Sequence, residues 1–250
     1  MDGALAPNGA FALVMLVVAF ASAVKGALGF GFPLIAVPLA ANLIGARTAV
    51  VLIAVAVVFS NFLILSRGGG RREDLPRFGG LLVGVVAGTV VGAQFLRRLD
   101  PQVLSVLVGV TAVALGGAGL VDRSPAVPAR AERLVGPAVG LAAGVMGGIT
   151  GIFAPLIAAY VQSLPVDKRG FVFWLTLSFF VGGLTQVVSY WRLGLYTPRL
   201  LAYAVVTFLP VVVGTRAGFW IQDRLPGPLF RRLVLFLVLL SGVNLIVRGL

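Results

Sequence analysis

The sequence predicts an all-α polytopic membrane protein made of two inverted structural repeats, each a broken or re-entrant helical hairpin followed by three transmembrane helices. Three observations predict it. Of the 250 residues, 59% are apolar and 11% charged, where a soluble domain has about a quarter of its residues charged. A mean hydropathy of +1.06 leaves too little polar surface to coat a globule in water. The apolar residues fall into runs of membrane-spanning length separated by short basic segments, and glycines, prolines and arginines recur at a fixed offset of 122 residues.

The first apolar stretch, Gly9–Gly45, would be about 55 Å long as one helix, too long for one crossing of a hydrocarbon core of about 30 Å. It is interrupted by Gly26-Ala27-Leu28-Gly29-Phe30-Gly31-Phe32-Pro33, and glycine with proline weakens and breaks a helix. Two short helices joined by a non-helical elbow are expected there. Three spans follow, Thr48–Ser66, Phe78–Leu96 and Gln102–Val121. Residues 122–133, with Pro125, Pro128 and mixed charges, read as a cytoplasmic linker between the repeats. The second stretch, Leu134–Leu164, would be about 47 Å as one helix and is interrupted at Gly147-Gly148-Ile149-Thr150-Gly151-Ile152-Phe153-Ala154-Pro155. A second elbow is expected, followed by spans Phe171–Trp191, Leu200–Trp220 and Leu229–Val247. The repeats are therefore residues 1–121 and 134–250. Met1-Asp2-Gly3 lacks the positive start of a cleavable signal, so the first segment is expected to remain in the protein.

Charge orients the chain. If each broken stretch returns to the side it entered from, the loops Arg67–Arg77, Asp122–Arg133, Pro165–Arg169 and Gln222–Arg232 share one face and carry 12 Lys or Arg against six on the other. One crossing per stretch would give 10 against 8. The positive-inside rule favours the first arrangement. It puts both termini outside and inverts one half relative to the other.

The offset of 122 supports the duplication. It lays Gly26, Gly29 and Pro33-Leu34-Ile35-Ala36 on Gly148, Gly151 and Pro155-Leu156-Ile157-Ala158, with Arg47 on Arg169, Pro76-Arg77 on Pro198-Arg199 and Gly92 on Gly214. Duplicated halves with interrupted helices at corresponding places point to the binding site of a secondary transporter.

Enzyme chemistry has little to stand on. There is no cysteine and no histidine, so disulfides, thiolate metal sites and the usual proton shuttle are absent. No cofactor and no metal is expected, and no P-loop is present. The basic residues are scattered between apolar runs, so nucleic acid is not an expected partner.

The elbows carry the candidate site: Gly26, Gly29, Phe30, Gly31 and Pro33 in the first, Gly147, Gly148, Thr150, Gly151, Phe153 and Pro155 in the second. Glycine lets a ligand approach the backbone, and a helix beginning at Pro33 or Pro155 offers free N–H groups and a positive dipole end to an anion. The plainer reading is close helix packing. Lys25, inside an apolar run just before the first elbow, needs a partner or a wet cavity; no Asp or Glu lies within a span. A substrate anion can be its counter-ion, or the side chain snorkels to the headgroups. Its repeat mate is Gly147, which makes the site asymmetric. Asn61, Thr150, Thr185 and Gln186 can complete a polar shell or simply bond across helices. Arg47 and Arg169 stand where entrance charges or headgroup anchors would. Phe30, Phe32 and Phe153 can gate the elbows or merely pack.

Lys25-Gly26-Ala27-Leu28-Gly29-Phe30-Gly31-Phe32-Pro33-Leu34, echoed by Gly144-Val145-Met146-Gly147-Gly148-Ile149-Thr150-Gly151-Ile152-Phe153-Ala154-Pro155-Leu156, resembles the duplicated glycine-rich motif of the sulfite exporter TauE/SafE family over nearly the full length. The resemblance implies a transporter in the cell (inner) membrane that moves sulfur-containing anions such as sulfite, sulfoacetate or other organosulfonates, commonly outward. The expected partners are a small anionic substrate and membrane lipid, with a homo-oligomer left open. The residues alone reach an anion-favouring transporter with inverted halves; a channel-like anion pore and an importer of a related anion are the alternatives.

Overall fold

The computed structural model describes residues 9–28, 31–66, 74–118, 131–222 and 227–250. The elbow positions Gly29 and Phe30, and residues 122–130 of the expected linker, lie outside them. Every regular element among the described residues is an α-helix: α1 (Gly9–Leu28), α2 (Phe32–Ile44), α3 (Ala46–Leu65), α4 (Leu75–Arg98), α5 (Pro101–Ala118), α6 (Glu132–Thr150), α7 (Ala154–Gln162), α8 (Lys168–Arg192), α9 (Pro198–Val206), α10 (Phe208–Gln222) and α11 (Gly227–Gly249). Six described segments are long and apolar enough to cross a membrane. Large apolar side chains such as Leu16, Val83, Leu209 and Val213 point outward, which suits a lipid solvent. The chain is a multi-pass membrane protein.

Both long apolar stretches break where glycine and proline meet. α1 gives way to α2 at Gly31, whose φ of 98° is left-handed, a conformation that glycine adopts without Cβ strain. α6 gives way to α7 through Gly151, φ 78°, and Pro33 and Pro155 sit in the first turns of α2 and α7. The expectation of two short helices in each stretch is corrected in one respect. α1 and α6 have 20 and 19 residues and are of span length; only α2 and α7, with 13 and 9, are short. The reason is that Gly26, Gly147 and Gly148 remain helical, held by neighbouring backbone or ring rather than left free to bend.

Those neighbours define two tight helix pairs. On α4, Gly84, Gly88 and Gly92 recur every fourth residue and face the carbonyl oxygens of Pro137, Leu141 and Val145 on α6. In return Gly140, Gly144 and Gly148 face those of Leu81, Val85 and Thr89. The ascending order on both helices makes α4 and α6 parallel. α1 and α10 form the matching pair: Gly214 and Gly218 face the carbonyls of Ala19 and Ala23, again parallel. Small residues every fourth position let backbones approach this closely.

The other contacts fix the directions. α3 runs antiparallel to its repeat mate α8, with Gly183 against Val57 and Val58 and Phe62 near Phe180. α5 runs antiparallel to its mate α11, with Gly109 against Gly242 and Gln102 against Gly249. α8 runs parallel to α4, since Phe78 stacks on Trp174 and Val85 lies beside Gly182. Antiparallel mates are what inverted halves require. α7 folds back along α6, its Tyr160 hydroxyl donating to the Glu132 carbonyl at 3.3 Å. α2 ends where Asn42 bonds Ser241 of α11, at the end of the bundle where Phe11 of α1 packs on Tyr203 of α9. Each broken stretch thus returns toward the end it started from, the grouping of helix ends assumed in the 12-to-6 charge division.

The expected span Leu200–Trp220 is not one helix. It breaks at Thr207 between α9 and α10, because Pro210 has no N–H for the Val206 carbonyl and its ring crowds that oxygen. Thr207 covers the break by donating its hydroxyl to the Ala204 carbonyl, 2.5 Å.

Two separate clusters of buried apolar residues result. One runs through α1, α2, α3, α5 and α9 to α11 and takes in Ala93 and Leu96 of the second half of α4 and Tyr190 near the end of α8; the other joins the first half of α4 to α6, α7 and the first half of α8.

Candidate functional site

At the boundary between these clusters lies a small cavity into which both elbows lead. Gly31, Phe32 and Pro33 come from the first elbow, Phe153 and Ala154 from the second, Val57 and Asn61 from α3, Phe179 from α8 and Lys25 from α1. Six of these nine residues are repeat mates at the offset of 122: Gly31 with Phe153, Phe32 with Ala154, Val57 with Phe179. The cavity therefore straddles the relation between the halves. Its volume of about 10 Å³ holds roughly one water, so the arrangement is closed; an oxyanion of four heavy atoms enters only if the walls part.

The polar content sits on one side. Lys25 is 4% exposed, and its Nζ donates to Asn61 Oδ1 at 2.5 Å. An ammonium has three donors, and this bond uses one. No described carboxylate lines the cavity. The mates of Lys25 and Asn61 are Gly147 and Gly183, so the second half carries no counterpart of the pair. The opposite wall is Phe153, Ala154 and Phe179, all buried.

Among the residues marked in the sequence, Lys25, Gly31, Phe32, Pro33, Asn61 and Phe153 are brought together here. The others stand apart from the cavity wall. Gly26 packs on Thr215 and Gly218, Gly148 on Thr89 and Gly92, and Gly147 lies under the Phe153 ring. Gly151 makes the left-handed turn, Pro155 begins α7, and Gly29 and Phe30 are not described. The Thr150 hydroxyl donates to the Met146 carbonyl at 2.8 Å. Gln186 donates through Nε2 to the Gly147 carbonyl at 3.0 Å and to the Tyr190 hydroxyl at 2.6 Å, while that hydroxyl donates to the Gly148 carbonyl at 2.8 Å. Tyr190 thus satisfies a carbonyl near the end of α6 that the helix leaves free, while Gln186 adds a second donor to the Gly147 carbonyl, which also accepts from the Gly151 N–H at 2.7 Å. Thr185 lines a separate open cleft of about 440 Å³ between α4 and α8, together with Gln94 and Arg192. The Arg47 guanidinium donates to the Leu99 carbonyl, tying α3 to the end of α4, and Arg169 is exposed.

The sequence reading passed over the apolar half of the wall. Val57 and Phe179 carry no chemical signal, yet the same offset that aligned the glycines pairs them. It also passed over Arg216, a second basic residue within a span. Arg216 is exposed on α10, on the side away from the Gly214 and Gly218 contacts, and does not reach the cavity.

The family model described as "Sulfite exporter TauE/SafE" matches residues 14–245. No curated protein and no solved structure matches the chain.

Proposed function

This chain belongs to the sulfite exporter TauE/SafE family, and from that premise we propose a secondary transporter that exports small sulfur-containing oxyanions, such as sulfite or an organosulfonate, across the cell membrane. A membrane transporter of this family is not an enzyme. The observation that carries the finer reading is Lys25: a buried amine at the meeting of two elbows, hydrogen-bonded to a neutral amide and faced by no described carboxylate. A basic group held this way in a membrane marks a substrate path, and the missing counter-ion is a substrate anion. The first turn of α2, opening at the cavity with Phe32 and Pro33, adds the positive end of a helix on the same side.

The anion approaches with its charged group toward Lys25 and Asn61, while Phe153, Ala154 and Phe179 receive whatever is not charged. Closure around a water-sized space supports a carrier that opens to one face at a time rather than a continuous pore. The boundary between the two apolar clusters passes through that space. Antiparallel repeat mates support inverted halves, divided at residues 122–133, with the more basic face inside and both termini outside. The one carboxylate in a described span, Glu132, stands at the first residue of α6 and is paired with Arg77 at 2.7 Å; none stands deeper to relay protons, which favours export driven by the membrane potential.

The test is thermal stabilisation of the purified protein by a panel of sulfite, sulfate, thiosulfate, methanesulfonate and chloride. A ligand of the folded state raises the melting point. Sulfite or the sulfonate should do so in the parent and fail to in Lys25→Met. Equal stabilisation in both proteins would remove Lys25 from the site.

A further inference from the structure

Taking the cavity to be the anion site, as proposed above, we infer that Phe153 sets the upper size of the anion it accepts. The two halves of the wall differ sharply here. The offset of 122 pairs Gly31, which has no side chain, with Phe153, whose ring is 1% exposed. Where the first half places the amine of Lys25, the second half has Gly147, and the phenyl ring lies on that glycine so closely that a Cβ there would collide with it. On its other side the ring meets Gly182 of α8, where an added Cβ would stand 2.9 Å from Phe153 Cε1 and 3.1 Å from Val85 Cγ1.

Two glycines on two helices therefore make a seat shaped to one ring. The seat lets the ring withdraw from the cavity as far as the backbones of α6 and α8 allow, and no farther. What remains is room for about one water. Lys25 and Asn61 fix the charged end of a bound anion, and the Phe153 ring occupies the volume into which the rest of that anion would extend. Phe153 limits size, and Gly147 and Gly182 position it.

The test compares Phe153→Ala, Phe153→Leu, Gly182→Ala, the double variant Gly182→Ala/Phe153→Leu, and Lys25→Met with the parent. Affinities for sulfite, methanesulfonate and benzenesulfonate are taken from anion-dependent melting of the full-length protein. Apolar pockets discriminate by about 10–200-fold per methylene. The benzenesulfonate-to-methanesulfonate affinity ratio should therefore rise at least about tenfold in Phe153→Ala and part of the way in Phe153→Leu, the variant safer for folding. Gly182→Ala pushes the ring into the cavity and should weaken all three anions, and adding Phe153→Leu should restore methanesulfonate binding. An unchanged ratio in both Phe153 variants, with stabilisation lost in Lys25→Met, overturns the size limit and leaves the anion site standing. Failure of Phe153→Leu to rescue Gly182→Ala overturns the seat. Parent-like binding in the Lys25 and Phe153 variants alike overturns both the limit and the site.

Discussion

Replacing Lys25 and Asn61 together, as Lys25→Met/Asn61→Leu, should make the protein more stable and unable to respond to its anion. Lys25 is 96% withdrawn from solvent and shares one hydrogen bond with Asn61. Removing an ammonium from water costs several kcal/mol, and a hydrogen bond involving a charged group returns only about 1.5–3 kcal/mol. The deficit is the expected gain of the double variant, about 1–4 kcal/mol by analogy with buried ion pairs replaced by apolar residues. At about 2–4 °C per kcal/mol for a chain of this size, the shift is readable by intrinsic fluorescence melting in detergent. Lys25→Met alone should gain less, because the Asn61 carbonyl oxygen is left without its donor at a cost of about 1–3 kcal/mol. The parent should rise by about 2.7 kcal/mol at an anion concentration of 100 Kd, and neither variant should rise at all. A double variant that melts below the parent would show that Lys25 serves the fold, and the reasoning would fail.

Three other predictions follow from the helix contacts and directions. Gly88→Ala drives a Cβ into the Leu141 carbonyl and should cost about 1–3 kcal/mol by overpacking, whereas Gly79→Ala, with nothing within 4 Å, should be neutral or gain about 0.5–1 kcal/mol from helix propensity; equal melting of the two would refute the tight α4–α6 pair. The chain has no cysteine, so single cysteines report topology cleanly: at Ser66 and Pro165 they should resist an impermeant thiol reagent in intact cells, and at Asp100 and Arg199 they should react, the reverse pattern contradicting the orientation. In proteoliposomes under a clamped potassium/valinomycin potential, a sulfonate monoanion should accumulate according to the sign of the potential, which contributes roughly 2.3 kcal/mol per charge per 100 mV, close to a fiftyfold ratio; flux that follows a pH gradient and ignores the potential would rule this mechanism out.

The helices were largely legible because length and composition settle them. Phe78–Leu96 and Phe171–Trp191 anticipate α4 and α8 to within a few residues, and Gly31 and Gly151 bend the chain where glycine and proline cluster. Gly26, Gly147 and Gly148 show the limit. The same residue type that ends a helix next to Pro33 continues one where a partner backbone or ring lies against it, and no local signal separates the two cases. Pro210 was likewise readable as a breaker, but the apolar run around it masks the turn at Thr207. At the site, Lys25 and Asn61 stand out because polarity within a span is rare, while Val57 and Phe179 do not, since an apolar wall differs from an apolar core only in where the chain happens to leave space.

The mate pairs around the cavity bear on energy as well as shape. A transporter whose halves exchange conformations would, with identical halves, have two end states related by rotation and degenerate in free energy. Here the exchange is between unlike partners: Lys25 with Gly147, Asn61 with Gly183, Gly31 with Phe153. Whichever half adopts the more open form, the amine and the phenyl ring are not interchanged with it, so the degeneracy is lifted and one resting orientation is favoured without any substrate. A difference of about 1.4 kcal/mol is enough for a tenfold bias. On the proposed exchange of halves, these three unlike pairs would each bias the direction of resting access, and restoring symmetry at any of them should shift the populations of the empty transporter's two faces.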